Sequence, residues 1–93
     1  MKELSEDQLS ELEAMAKLML SISDIAIILE VDEHAFREIM EDKQADPWKR
    51  FQSGRMKSIA EVRKSIFDLA ANGSSPAQTE AMKLIRDAMM EEL

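Results

Sequence analysis

Two side chains in the segment ISDIAIILEVDEHAFREIM, residues 22–40, could contact DNA. Arg37 can donate hydrogen bonds to guanine edges or to phosphates, and His34 can donate to phosphates. Phosphates would repel the five acids of the second helix that this segment predicts: Asp32, Glu33, Glu38, Glu41 and Asp42. Arg37 could equally pair with Glu33 or Glu41, one helical turn away on either side. The crowding of acids favours this pairing and moves the expected phosphate contacts toward the residues that follow.

Residue types that support catalysis or metal binding are scarce. The 93-residue chain has no cysteine and one histidine, so it lacks a thiolate nucleophile, a disulfide and the ligand sets of most zinc sites. Gly54 and Gly73 are isolated, so they do not form a glycine-rich loop that could hold a nucleotide phosphate. Carboxylates are plentiful, but a run of charge on an amphipathic helix is usually a solvated face. We therefore predict that the protein is not an enzyme and uses no metal or cofactor.

The net charge of -7 is unevenly distributed along the chain. Residues 1–46 carry 4 Lys/Arg and 13 Asp/Glu, whereas residues 47–93 carry 8 and 6. The pI of about 4.7 argues against tight non-specific binding to nucleic acid, because Lys and Arg supply that affinity, but it does not exclude a local basic patch. The N-terminus lacks the pattern of a signal peptide, and no run reaches the roughly 20 apolar residues of a membrane span. We therefore expect a cytoplasmic protein.

Capping signals and apolar spacing predict three short helices in residues 1–45. The first helix should run from Glu6 to about Leu20. The predicted N-caps in chain order are Ser5, which forms a capping box with Gln8, then Ser23 and Asp32.

The second and third predicted helices resemble a helix-turn-helix. This motif needs a small residue where its helices cross, an apolar frame that fixes their angle, and a tight turn. Ala26 is the small residue, and the apolar frame consists of Ile22, Ile25, Leu29, Val31, Phe36 and Ile39. The pattern departs from the motif at Glu30, because the turn usually carries glycine there.

Residues 46–93 are predicted to form a long antiparallel helical hairpin. Asp46-Pro47 opens the longest helix, and Asn72-Gly73 ends it, because glycine readily takes the left-handed conformation. Ser75, in a capping box with Gln78, opens the last helix after a short connection. No alternating strand pattern occurs, so the expected fold class is all-α with five helices. Residues 1–45 are the DNA-binding-like helix-turn-helix region, and residues 46–93 are the hairpin and expected oligomerisation region.

Three cations of the longest predicted helix, Arg50, Lys57 and Lys64, are seven residues apart and form a stripe opposite the apolar face. This stripe could follow a phosphate backbone, or it could be a solvated surface paired with Glu61 and Asp68. Together with the cations that precede the stripe, the candidate nucleic-acid contacts are His34, Arg37, Lys43, Lys49, Arg50, Lys57 and Lys64.

The hairpin also carries candidate contacts between subunits. Arg55 falls on the apolar side of its helix, so it could reach an acid in the N-terminal half or on another subunit, or extend to water. Leu84, Ile85, Met89 and Met90 give the last helix a wider apolar face than one narrow contact requires, which favours a homo-oligomer.

A run of features after the helix-turn-helix carries a family resemblance: Phe51, Gly54-Arg55, the helical residues 61–69, and Ala70-Ala71-Asn72-Gly73-Ser74 with Ala77. These features resemble the small terminase subunits of tailed phages over nearly the whole chain. The resemblance implies a DNA-packaging adaptor whose helix-turn-helix recognises double-stranded viral DNA. It also implies that the hairpin assembles subunits into a ring beside the large terminase subunit, in the cytoplasm of a bacterial host.

Two other functions fit the same scaffold, because fold does not fix function. The balance of -9 in residues 1–46 suits a protein-interaction module that turns its acidic helix toward a protein partner. A dimeric, sequence-specific regulator of transcription is a close variant of the DNA-binding function.

Overall fold

The computed structural model describes residues 3–93, and within this range it contains five α-helices and no strand. The helices are α1 (Glu6–Lys17), α2 (Ile22–Leu29), α3 (Glu33–Glu41), α4 (Asp46–Ala71) and α5 (Ser75–Glu91). The all-α prediction is confirmed. The chain forms two compact units, Met1–Ser58 and Ile59–Leu93, and the boundary between them falls inside α4.

The hydrophobic core lies in the first unit and draws on four helices. Its largest fully buried side chains are Leu12 of α1, Ile25 of α2, Phe36 of α3 and Phe51 of α4. Burial of each such side chain stabilises the fold by about 1.5–3 kcal/mol. In addition, α2 packs against both α1 and α3. The shared core therefore holds α1, α2, α3 and the first part of α4 together.

Two of the three N-caps predicted for the short helices are confirmed. Ser5 and Gln8 form the capping box of α1, and the Asp32 carboxylate accepts from the backbone N–H at the third position of α3. The predicted cap of α2 is wrong. The helix begins two residues earlier than Ser23 would allow, and the Ser21 hydroxyl accepts a backbone N–H at 3.1 Å. Ser23 is thereby left inside α2, where its hydroxyl is available to another helix.

The first helix ends earlier than predicted. It stops at Lys17 because Met19 takes the left-handed conformation with φ of 63°. The N–H of Leu20 then donates to the carbonyl of Met15 at 3.3 Å, which closes the end of the helix.

The turn between α2 and α3 places Glu30 in the left-handed region, with φ of 57° and ψ of 43°. The N–H of Val31 donates to the Ala26 carbonyl at 3.0 Å across this turn. The conformation costs an L-residue about 1–2 kcal/mol, whereas glycine adopts it freely. Position 30 is therefore a strained point in a turn that the core holds in place.

Glu30→Gly should raise the free energy of unfolding by about 1 kcal/mol, since the relief of strain exceeds the extra chain entropy of glycine in the unfolded state. Urea denaturation followed by circular dichroism measures the change. The control is Glu11→Gly in the interior of α1, which should lower stability by about 1 kcal/mol. A loss of stability in both variants would contradict the expectation.

The second unit contains the last part of α4, the connection 72–74, and α5. As predicted, the long helix stops just before Asn72-Gly73, and Gly73 has φ of +99°. The predicted capping box of α5 is wrong. Ser74, not Ser75, caps the helix, and the Gln78 side chain donates to the Ala70 carbonyl at 3.1 Å instead of closing the box. The connection is thus tied to the end of α4 by a side chain of α5.

Candidate functional site

Arg37 on α3 is held by side chains of its own chain. Its Nε lies 3.3 Å from Glu33 Oε2, and its Nη2 donates to Ser23 Oγ of α2 at 2.7 Å. The pKa of Glu33 lies below its usual value, because Ser23 and then Arg37 hydrogen-bond to its carboxylate. The predicted pairing of Arg37 is confirmed with Glu33. Both partners are about half exposed, so this pair can exchange with an outside ligand.

His34, the other cation expected on α3, also contacts an acid of that helix. Its Nε2 lies 2.9 Å from Glu38 Oε1, and its side chain is 85% exposed. The contact is an ion pair only when the imidazole is protonated. The two candidate DNA contacts of α3 therefore both face a carboxylate one turn along the helix.

The first two residues of the basic stripe pair with α1 inside the first unit. Arg50 Nη2 donates to Glu6 Oε1, and Lys57 Nζ lies 3.7 Å from Glu13 Oε2. These acids lie far away in the sequence, so spacing along one helix could not identify them. The carboxylates of α1 therefore offset part of the positive charge that the stripe was expected to present.

The third residue of the stripe, Lys64, pairs within α4. Its Nζ donates to Asp68 Oδ2 at 2.9 Å, as the spacing predicted. The hydrogen bond and the charge of Asp68 raise the pKa of Lys64. Exposed pairs of this kind contribute little to stability, so the lysine can still exchange its partner.

Lys43 and Lys49 are the two predicted DNA contacts without an acidic partner in residues 3–93. Lys43 Nζ lies 3.5 Å from the centroid of the Trp48 ring and donates to the Met40 carbonyl at 3.3 Å. Lys49 is exposed in the first turn of α4. Both lysines border the connection between α3 and α4, where the sequence placed the phosphate contacts.

A cavity of about 240 Å³ brings Arg37 and Lys43 together in the first unit. Its other lining residues are Ile22, Met40, Glu41 and Trp48. The cavity thus combines two cations, one acid and an apolar wall that includes an indole ring. The sequence analysis did not single out Trp48, which contributes this indole ring.

Arg55, a candidate subunit contact, binds within its own unit. Its guanidinium carbon lies 4.2 Å from the centroid of the Phe51 ring, and Nη2 donates to the Leu20 carbonyl at 3.3 Å. The buried Nε has no partner within residues 3–93. The acid that the sequence suggested is replaced by a backbone carbonyl, so Arg55 links α4 to the residues that follow α1.

The second unit leaves most of its large apolar side chains in water. Its buried hydrophobic residues are Ala77 and Ala81, whereas Ile85 is 40% exposed and Met89 is 67% exposed. Leu84 is half-buried. An apolar cavity of about 420 Å³ on α5 is lined by Met82, Ile85, Arg86, Met89, Met90 and Leu93. The candidate subunit contacts on α5 therefore line or adjoin an apolar surface that the rest of the second unit leaves uncovered.

Comparisons with protein-family models, curated proteins and solved structures gave no match to this chain. Among residues 3–93, no three His, Asp or Glu side chains are grouped so that they could hold a metal ion. The same range contains no helix with both the length and the apolar character needed to cross a membrane.

Proposed function

We propose that this protein is a non-enzymatic DNA-binding adaptor that acts as an oligomer, as the resemblance to phage small terminase subunits implies. The observation that carries the proposal is the cavity lined by both Arg37 and Lys43, together with the exposed Lys49, which follows the lining residue Trp48 in the sequence. Lys and Arg side chains on one side of a small protein can contact neighbouring phosphates of a duplex. The double-stranded DNA would be viral, and a large terminase subunit would be the protein partner.

In this proposal α2 and α3 form a helix-turn-helix. Three features support it: Ala26 is buried, the turn contains a left-handed residue at Glu30, and Phe36 anchors α3 in the core. A helix-turn-helix places the start of its second helix against the major groove. The cations available there are His34 and Arg37. Each would leave its carboxylate partner on α3 and contact the DNA instead.

Phosphate binding falls mainly to Lys43 and Lys49. Neither has to break an ion pair within residues 3–93, whereas Arg50, Lys57 and Lys64 each already contact a carboxylate. The acids of α3 lower the affinity of one copy for DNA. Assembly offsets this loss, because linked copies convert several weak contacts into one avid interaction.

Assembly is assigned to residues 46–93, with the hairpin of a second copy as the occupant of the apolar surface on α5. Two features support this assignment. The second unit has only small buried apolar residues, and residues 59–93 carry 4 Lys/Arg and 6 Asp/Glu against 8 and 13 in residues 1–58. The second unit therefore combines exposed apolar area with a smaller net negative charge than the first unit. Two copies should repel each other least when they associate through it.

The test is the affinity of the intact oligomer for duplex DNA, measured by fluorescence anisotropy at about 50 mM and about 200 mM salt. The double variant Lys43→Gln/Lys49→Gln should weaken binding at least about tenfold at the lower salt. The slope of the logarithm of the binding constant against the logarithm of the salt concentration should become shallower by about 0.9 for each phosphate contact that is lost. The matched control, Arg63→Gln/Lys83→Gln, removes two cations from the second unit and should leave most of the affinity. Equal losses in the two double variants, or no binding by the parent protein, would reject the proposal.

A protein-interaction module is the second candidate, and one observation favours it: Arg37 and His34 both already contact acids of α3. On this alternative the acidic face of the first unit meets a protein instead of DNA. Arg37→Glu separates the two functions. If DNA affinity stays the same while a protein complex is lost, the protein-interaction function is supported and the DNA contact of α3 is rejected.

A further inference from the structure

A cleft lined by both apolar and acidic residues lies in the first unit, and it shares no lining residue with the cavity that Lys43 lines. It has a volume of about 400 Å³ and is bordered by residues near the start of α1, the end of α3 and the start of α4. Half-buried Ile39 and Pro47 form part of its apolar wall. The four carboxylates on it are those of Glu3, Glu38, Asp42 and Asp46, and its lining contains no Lys or Arg.

The carboxylates of this cleft are not neutralised by the described part of the chain. None of the four forms an ion pair with Lys or Arg within residues 3–93, in contrast to Glu6, Glu13 and Glu33. Glu38 has its contact with His34, and Asp42 accepts from a nearby backbone N–H. The cleft therefore presents apolar area and unbalanced negative charge in the same place.

We infer that this cleft binds a basic segment of a partner protein, with an apolar side chain in the cleft and Lys or Arg side chains against the carboxylates. The volume suits one or two large apolar side chains rather than a whole domain. Phosphates of DNA and the anionic surface of a membrane would be repelled here, so a cationic peptide is the occupant whose charge complements the site. This inference rests on the protein-interaction candidate, because it names the site and the chemistry of that partner. It does not depend on Lys43 or Lys49, neither of which lines this cleft.

The probe is a short synthetic peptide with leucine and lysine at helical spacing, compared with a matched peptide in which glutamate replaces lysine. Calorimetry on the full chain should detect binding of the lysine peptide, weakened as salt rises from about 50 mM to about 200 mM. Glu38→Lys should reduce that affinity by about five- to tenfold at low salt, because it reverses a charge at the rim. Glu38→Gln should give a smaller loss of the same sign.

The matched control is Glu11→Lys, which changes the charge equally at an exposed position of α1 outside the cleft. It should alter the affinity by less than about twofold, since exposed charges at a distance are screened. Equal weakening by Glu38→Lys and Glu11→Lys would overturn the site while leaving a protein-binding function in place. Binding of the glutamate peptide as tight as that of the lysine peptide would overturn the cationic partner. No binding of either peptide would reject the cleft as a site for a basic segment, whereas the protein-interaction candidate itself is decided by Arg37→Glu.

Discussion

Replacing Ile85 and Met89 with glutamate should yield a monomer and weaken DNA binding by about a hundredfold relative to the oligomer. These side chains are 40% and 67% exposed, so the double variant should keep its helices. The double variant places two carboxylates on the apolar surface of α5, which we propose is buried against a second copy of the chain. Burial of an unpaired carboxylate costs several kcal/mol, which exceeds the loss of a single apolar contact. Light scattering measures the subunit number, and anisotropy on a duplex measures the affinity.

The control for this variant is Lys83→Glu on the same helix. It changes the net charge by the same amount as Ile85→Glu/Met89→Glu, but Lys83 does not line the apolar cavity. It should therefore keep both the subunit number and most of the affinity. The assembly proposal fails if the double variant retains the mass of the parent protein, or if the parent protein is itself a monomer.

The positions of the helices and the core residues could be predicted because both depend on local patterns. Ile25, Phe36 and Phe51 fall on apolar faces that a period of 3.6 residues defines, and they are among the largest fully buried side chains. Errors occurred where two neighbouring hydroxyls competed for one cap. Ser21 and Ser74 were passed over because a serine within three residues offered an equally good pattern. The N-cap preference of serine does not distinguish two serines so close in the sequence. The conformation of the turn before the helix determines which of them becomes the cap.

The partners of the candidate site residues were predictable only within one helix. The pairs Arg37 with Glu33 and Lys64 with Asp68 follow from a spacing of four residues. Arg50 and Lys57 instead contact Glu6 and Glu13 of α1, and each pair is separated by 44 residues in the sequence. Apolar periodicity shows which face of a helix is buried, but it does not show which residues of another helix lie beside the polar edge of that face. The charge left for DNA was therefore overestimated along the stripe.

The close packing of α1 against α4 in the first unit depends on Gly54, a packing role that the sequence did not indicate. A Cβ at position 54 would lie 2.5 Å from the Glu13 carbonyl oxygen and 2.8 Å from Ala16 Cβ. In an exposed helix, Gly→Ala stabilises by about 1 kcal/mol. Here the obstructing atoms are a backbone oxygen and a methyl carbon attached directly to the backbone, so α1 would have to move and disturb the core behind it. We expect Gly54→Ala to lower the free energy of unfolding by about 3 kcal/mol, as measured by urea denaturation.

Two further variants separate steric crowding from backbone conformation as the cause of this loss. Gly73→Ala meets no atom within 4 Å but forces alanine to φ of +99°, so its smaller loss, about 1–2 kcal/mol, should come from the backbone alone. Ala16→Gly removes one of the two obstructing atoms and should recover part of the stability of Gly54→Ala, because the two positions are in contact and their effects are not additive. The Glu13 oxygen remains, so recovery should stay incomplete. A Gly54→Ala variant as stable as the parent protein would mean that α1 and α4 separate at little cost, and Arg50 and Lys57 would then be freer to leave α1 for DNA.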